Sequence, residues 1–178
     1  MKWQYIPIFI IVTFVTFLLH EGAHWMTGEM LGYDMWMNIN SCGLASGQYN
    51  TEWHKHMVSA AGPIVTIIQA IIAFVLVRKN KTIGAFAFIF TALIMRVLAM
   101  FMSLNSPNDE ARVSEWLGLG QWSLHILVIA VLLGLTLKGG SYMKFRWRAY
   151  GLAYLAVSLA IAGVVMGEAF IPNFNPYI

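Results

Sequence analysis

The chain has 178 residues; 59% are hydrophobic and only 11% charged, with a mean hydropathy of +0.68. A soluble domain of this size has too little interior to hide so much apolar surface, so the sequence reads as an integral membrane protein. The formal charge of +3 comes from basic residues flanking apolar runs, with no groove-like stripe, which argues against nucleic acid as a partner. A lone cysteine, Cys42, excludes a disulfide framework and any multi-cysteine metal site.

Five apolar runs follow one another, at about Ile6–Leu31, Met57–Val77, Thr82–Leu104, Trp122–Leu137 and Trp147–Phe170. Each is apolar on every face and is expected to be a helix, since only a helix satisfies its own backbone in lipid. Trp and Tyr at the ends of the runs fit interfacial belts. The first run lacks a small-residue cleavage site, so it reads as a span and not as a removable signal. The expected fold is an all-α integral membrane protein of about five transmembrane helices, one domain over residues 1–178, with the lipid bilayer as its surroundings. Between the first two runs, Asp34 to Asn40 alternates polar and apolar residues, and Leu44 to Tyr49 is a second extended candidate. Together they predict a short β-hairpin.

Lys2, Arg78, Lys79, Lys81, Lys138, Lys144, Arg146 and Arg148 fall on one side of these spans, against Lys55 and Arg112 on the other. The positive-inside rule then puts the N-terminus in the cytoplasm of a multi-pass cell-membrane protein. The loops Gly32–His56 and Asn105–Gln121 lie outside.

The first run contains His20-Glu21-Gly22-Ala23-His24. Residues four apart share a helix face, so both imidazoles reach one metal ion, and Glu21 beside them is placed to take a proton from an attacking water. Ionisable groups inside an apolar helix are costly unless they serve a site. A catalytic zinc site takes three protein ligands and leaves a fourth position open. Asp109, Glu110, Glu115, His54, His56 and His125 are candidates for the third. Asp109 follows the third span on the side where His24 lies, and His125 opens the fourth span on that side. His54 and His56 flank Lys55 in what reads as an interfacial turn. Arg96, inside the third span, reads as a partner for an acidic group near the metal such as Glu110 or as a substrate-carbonyl contact, and equally as structural pairing or snorkelling. Asn105 reads as a substrate contact or a helix terminator before Ser106-Pro107.

The motif in the first span is followed by Ser59-Ala60-Ala61-Gly62-Pro63 at the second. Leu104-Asn105-Ser106-Pro107-Asn108-Asp109-Glu110 follows the third. This order, over Thr16 to Val113, resembles the site-2 protease family of intramembrane zinc metalloproteases. The resemblance implies one Zn²⁺ per chain held by His20, His24 and Asp109, Glu21 as general base, and a membrane-spanning or membrane-adjacent peptide as substrate. It also implies that the hairpin, through residues such as Met37 and Ile39, offers an edge strand to an unwound substrate. Two features depart from the family pattern. Glu110 stands where the family has Gly, and the charge pattern puts the site nearer the outer face instead of the cytosolic one. The alternative reading from the residues is a non-catalytic zinc-binding scaffold or a small transporter.

Overall fold

The computed structural model describes residues 3–170 and 172–177, without the side chain of residue 169. Five helices are long and apolar enough to cross a membrane. These are α1 (Ile6–Met30), α2 (Glu52–Asn80), α3 (Ile83–Met102), α5 (Ser123–Tyr142) and α6 (Trp147–Gly167), with the short α4 (Asp109–Trp116) before α5. A two-stranded antiparallel sheet, β1 (Met35–Met37) and β2 (Cys42–Leu44), follows α1.

The helix starts differ from the expectation where polar residues can cap. Helix α2 begins at Glu52 and not near Met57, because the Thr51 hydroxyl accepts the His54 N–H at 3.2 Å and satisfies an orphan donor of the first turn. His54 and His56 therefore sit on a helix, not in a turn. The expected loop 105–121 contains α4, whose first turn carries Asp109 and Glu110, acidic residues favoured at a helix N-terminus.

Helix α1 runs antiparallel to α2, with Thr16 near Gln69 and His24 near Val58. It runs parallel to α3, with Thr13 against Thr91 and Phe9 edge-on to Phe90. The main core, built on Phe9, Phe86, Ile89 and Phe90, joins α1, α3 and α6. Helix α6 enters this core through Ala153 and Ala156 with Val157 and Ile161, and presents buried Ala149, Ala153, Ala156 and Ala160. These small residues share one helical face and let neighbouring backbones approach closely, which drives association where lipid removes the hydrophobic effect. The polar elements β1, β2 and α4 gather at the end of the bundle where α1 finishes and α2 starts.

Candidate metal centre

His20 and His24 sit one turn apart on α1, 4% and 6% exposed. Their Nε2 atoms lie 3.3 Å from each other, and 3.3 and 3.2 Å from Asp109 Oδ2 at the start of α4. Each imidazole is fixed from behind. His20 Nδ1 is 3.0 Å from Thr66 Oγ1, and that hydroxyl donates its own proton to the Gly62 carbonyl. Thr66 can therefore only accept, and the His20 proton is on Nδ1. His24 Nδ1 is 2.6 Å from the Val58 carbonyl, again a pure acceptor. With the imidazoles neutral, both Nε2 atoms present lone pairs to the same carboxylate oxygen. Three acceptors this close repel one another unless a cation lies between them. Ligands about 2.0–2.1 Å from a tetrahedral ion stand roughly 3.3 Å apart, the spacing found here. The donor set fits a small divalent metal.

Two backbone features make room for this cluster. A Cβ on Gly62 would stand 2.5 Å from His20 Cε1 and would also strike His24 Nε2, so only glycine lets α2 pass this close. Pro63 next to it has no N–H for the carbonyl four residues back, which loosens α2 at this level.

Asp109 is held on three sides. Arg112, one turn on, donates to its second oxygen, Oδ1, at 2.5 Å and to Ser59 Oγ at 3.2 Å, leaving Oδ2 to the histidines. Asn108 donates to the Ala99 carbonyl at 2.6 Å. Glu110 turns the opposite way and forms an ion pair with Arg96 at 2.9 Å, both side chains at most 5% exposed. Glu110 is therefore directed to α3, not to the histidines.

The remaining candidates lie apart. His54 Nδ1 pairs with the Tyr33 hydroxyl. His56 stacks on Trp116 with ring centroids 4.9 Å apart. His125 is buried against Ser103 Oγ at 3.1 Å. Glu115 and Asn105 are exposed.

Glu21 is 7% exposed, forms no side-chain hydrogen bond among the described residues, and opens with His24, Asp109 and Arg112 onto a cleft of about 560 Å³. The cleft's far wall is β2. Register decides which strand that is. Asn38 N–H donates to the Ser41 carbonyl and Ala45 N–H to the Asp34 carbonyl, so residues 34, 36 and 38 bond to 45, 43 and 41. The main-chain groups of Cys42 and Leu44 then point away from β1, toward the cleft. Those of Met37 point outward on the opposite edge, where they exchange hydrogen bonds of 3.0 and 2.7 Å with Phe174. Met37 and Ile39 line a separate apolar groove with Phe14, Leu18 and Phe174. The structure therefore does not bring them to the histidines. On the other flank of Asp109, an apolar crevice of about 300 Å³ opens between α2, α4 and α5, lined by Pro63, Ile64, Leu124 and Leu127.

Thr66, the Val58 carbonyl, Arg112, Ser59 and the β2 edge escape a reading of the sequence alone. Arg112 left a trace, since a cation three residues beyond an acid on a helix is a standard neighbour pair. The chain matches no protein-family model, no curated protein and no solved structure.

Proposed function

We propose that this protein is an intramembrane zinc metalloprotease of the site-2 protease type, hydrolysing a peptide bond in or beside the membrane. One observation carries the reading. Three potential ligand atoms converge at the spacing of a tetrahedral metal, beside a Glu21 carboxylate with no side-chain hydrogen bond among the described residues, in a cleft walled by an open strand edge. His20, His24 and Asp109 would hold the zinc, which supplies Lewis acidity, polarising the scissile carbonyl and acidifying water.

The chain's own groups do the rest. Glu21 takes the proton of the attacking water and returns it to the leaving amine nitrogen. The Cys42 and Leu44 main chain holds the substrate extended, which a helical segment reaches only by unwinding, because a helix hides its carbonyls in internal bonds. Arg112 keeps Asp109 turned to the histidines. By the positive-inside rule the cleft would open at the outer face.

Glu21→Gln tests the reading. The amide keeps size and charge-free hydrogen bonding but cannot accept the proton. Zinc content and membrane insertion are expected to match wild type, with substrate processing down by about two to four orders of magnitude. Undiminished processing in a variant with normal zinc would refute the protease.

A further inference from the structure

The end of α6 and the residues after it reach across the molecule to the hairpin. Glu168 accepts from Asn38 Nδ2 at 3.0 Å, Asn40 Nδ2 at 2.8 Å and Ser41 Oγ at 2.5 Å. Those three residues are the turn between β1 and β2, so one carboxylate gathers three of its side chains. Asn38 Oδ1 meanwhile closes the turn from inside, accepting the Asn40 and Ser41 N–H groups. Phe174 adds a bridge to Met37, and its ring meets Trp25 of α1 edge-on at 6.0 Å. Tyr177 donates to Glu29, whose other oxygen accepts the Met35 N–H at 2.9 Å. The hairpin is thus fastened along β1 and at its turn, while the β2 edge is left to the cleft.

Resting on the protease reading above, we propose that Glu168 is a positioning residue. It clasps the hairpin turn so that the β2 edge stands at a fixed height over Glu21 and His24, ready to take an extended substrate. Two short strands alone are marginal in water. A sheet of three residues per strand needs an outside anchor to present a fixed register, and Glu168 supplies it without touching substrate or metal.

Two readouts on the full-length protein in detergent test the proposal. The first needs no activity. Cys42, the only thiol, is half-buried on β2, and burial pushes its pKa up to about 12, so it alkylates slowly. Releasing the turn in Glu168→Ala is expected to speed its alkylation by an uncharged maleimide about fivefold or more. An unchanged rate would overturn the clasp. The second uses fluorescently labelled casein as an extended substrate. Glu168→Ala is expected to raise KM about tenfold with kcat within about twofold, and Glu168→Gln, which keeps one acceptor oxygen, to fall between. A faster Cys42 with an unchanged KM would overturn the positioning role, as would loss of zinc from Glu168→Ala. If that variant fails to accumulate, the Asn40→Ala, Ser41→Ala double variant loosens the clasp from the hairpin side and carries the same readouts. Should wild type cleave nothing, the substrate role falls with the protease reading, while the alkylation rates still decide the clasp.

Discussion

His20 and His24 donate from Nδ1 to Thr66 and to the Val58 carbonyl, so each ring in its neutral form turns an Nε2 lone pair to Asp109. That arrangement makes the third ligand a question of orientation and not of proximity in sequence. Asp109 and Glu110 are neighbours, but Arg112 turns one toward the histidines and Arg96 draws the other away. We expect Asp109→Ala to lose most of the bound zinc, measured by elemental analysis of purified protein, because two histidines alone make a weak site. Glu110→Gln keeps a hydrogen-bond acceptor for Arg96, and with it part of the fastening of α4, and is expected to retain clearly more zinc than Asp109→Ala. The reverse pattern would move the ligand to Glu110. The helical pitch joining His20 to His24 was legible in the sequence, since it depends only on a spacing of four. The groups behind the imidazoles were not, because they come from a helix more than thirty residues away, and a carbonyl such as that of Val58 has no side chain to announce it.

Helix α4 is held against α3 by the Arg96–Glu110 pair, and this pair fixes where Asp109 begins. Breaking one half of a buried pair leaves an uncompensated charge and costs about 3–5 kcal/mol, whereas replacing both halves with apolar groups is often neutral. Arg96→Met alone is therefore expected to lower stability in thermal unfolding and to release zinc, with Arg96→Met, Glu110→Met recovering most of both. Additive losses in this cycle would exclude the pair as the fastener of α4. A pH effect belongs to the hairpin. The bonds from Ser41, Asn40 and Asn38 hold the Glu168 carboxyl below its ordinary range. A depressed carboxylate contributes stability that is complete above its unfolded pKa and is lost as pH falls through the lowered folded value. The thermal midpoint of wild type should exceed that of Glu168→Gln near neutral pH, and the gap should close in acid below the ordinary glutamate range. The hairpin's first strand was visible in the alternation after Asp34, but its second lies at Cys42–Leu44 and not at Leu44–Tyr49, and which strand faces the cleft was not visible. Both strands alternate alike, and only the Asn38–Ser41 bond fixes the parity that sends Cys42 and Leu44 inward and Met37 to Phe174. Glu168 was hidden for a related reason: at the end of an apolar run it reads as an ordinary interfacial acid.

Across the whole molecule, the helix ends sort by charge. The end opposite His20, His24 and Asp109 carries Arg78, Lys79, Lys138 and Arg148 at the termini of α2, α5 and α6. Five apolar runs made the span count legible, while the bundle's order of packing, with α6 against α1 and α3, depends on alanine faces that hydropathy does not distinguish from lipid-facing ones. We expect the hairpin end to face outward. Cys42 is a poor reporter of this, being half-buried with a pKa near 12. In a Cys42→Ser background, Glu115→Cys and Lys138→Cys place thiols on exposed sites at opposite ends. An impermeant maleimide should label the first in intact cells and the second only after lysis; the opposite result would invert the protein. The bridge between Met37 and Phe174, with Glu168 beside it, has a consequence for synthesis. The turn that Glu168 fastens is translated about 130 residues earlier, when α1 and its histidines are already in the bilayer. During all that elongation the turn lacks its Glu168 clasp, and the hairpin is tied to α1, through Glu29 and Trp25 at Met35. A ribosome-bound nascent chain therefore holds an unfinished cleft, and the strand edge takes its final place beside Glu21 and His24 only after the last helix has crossed.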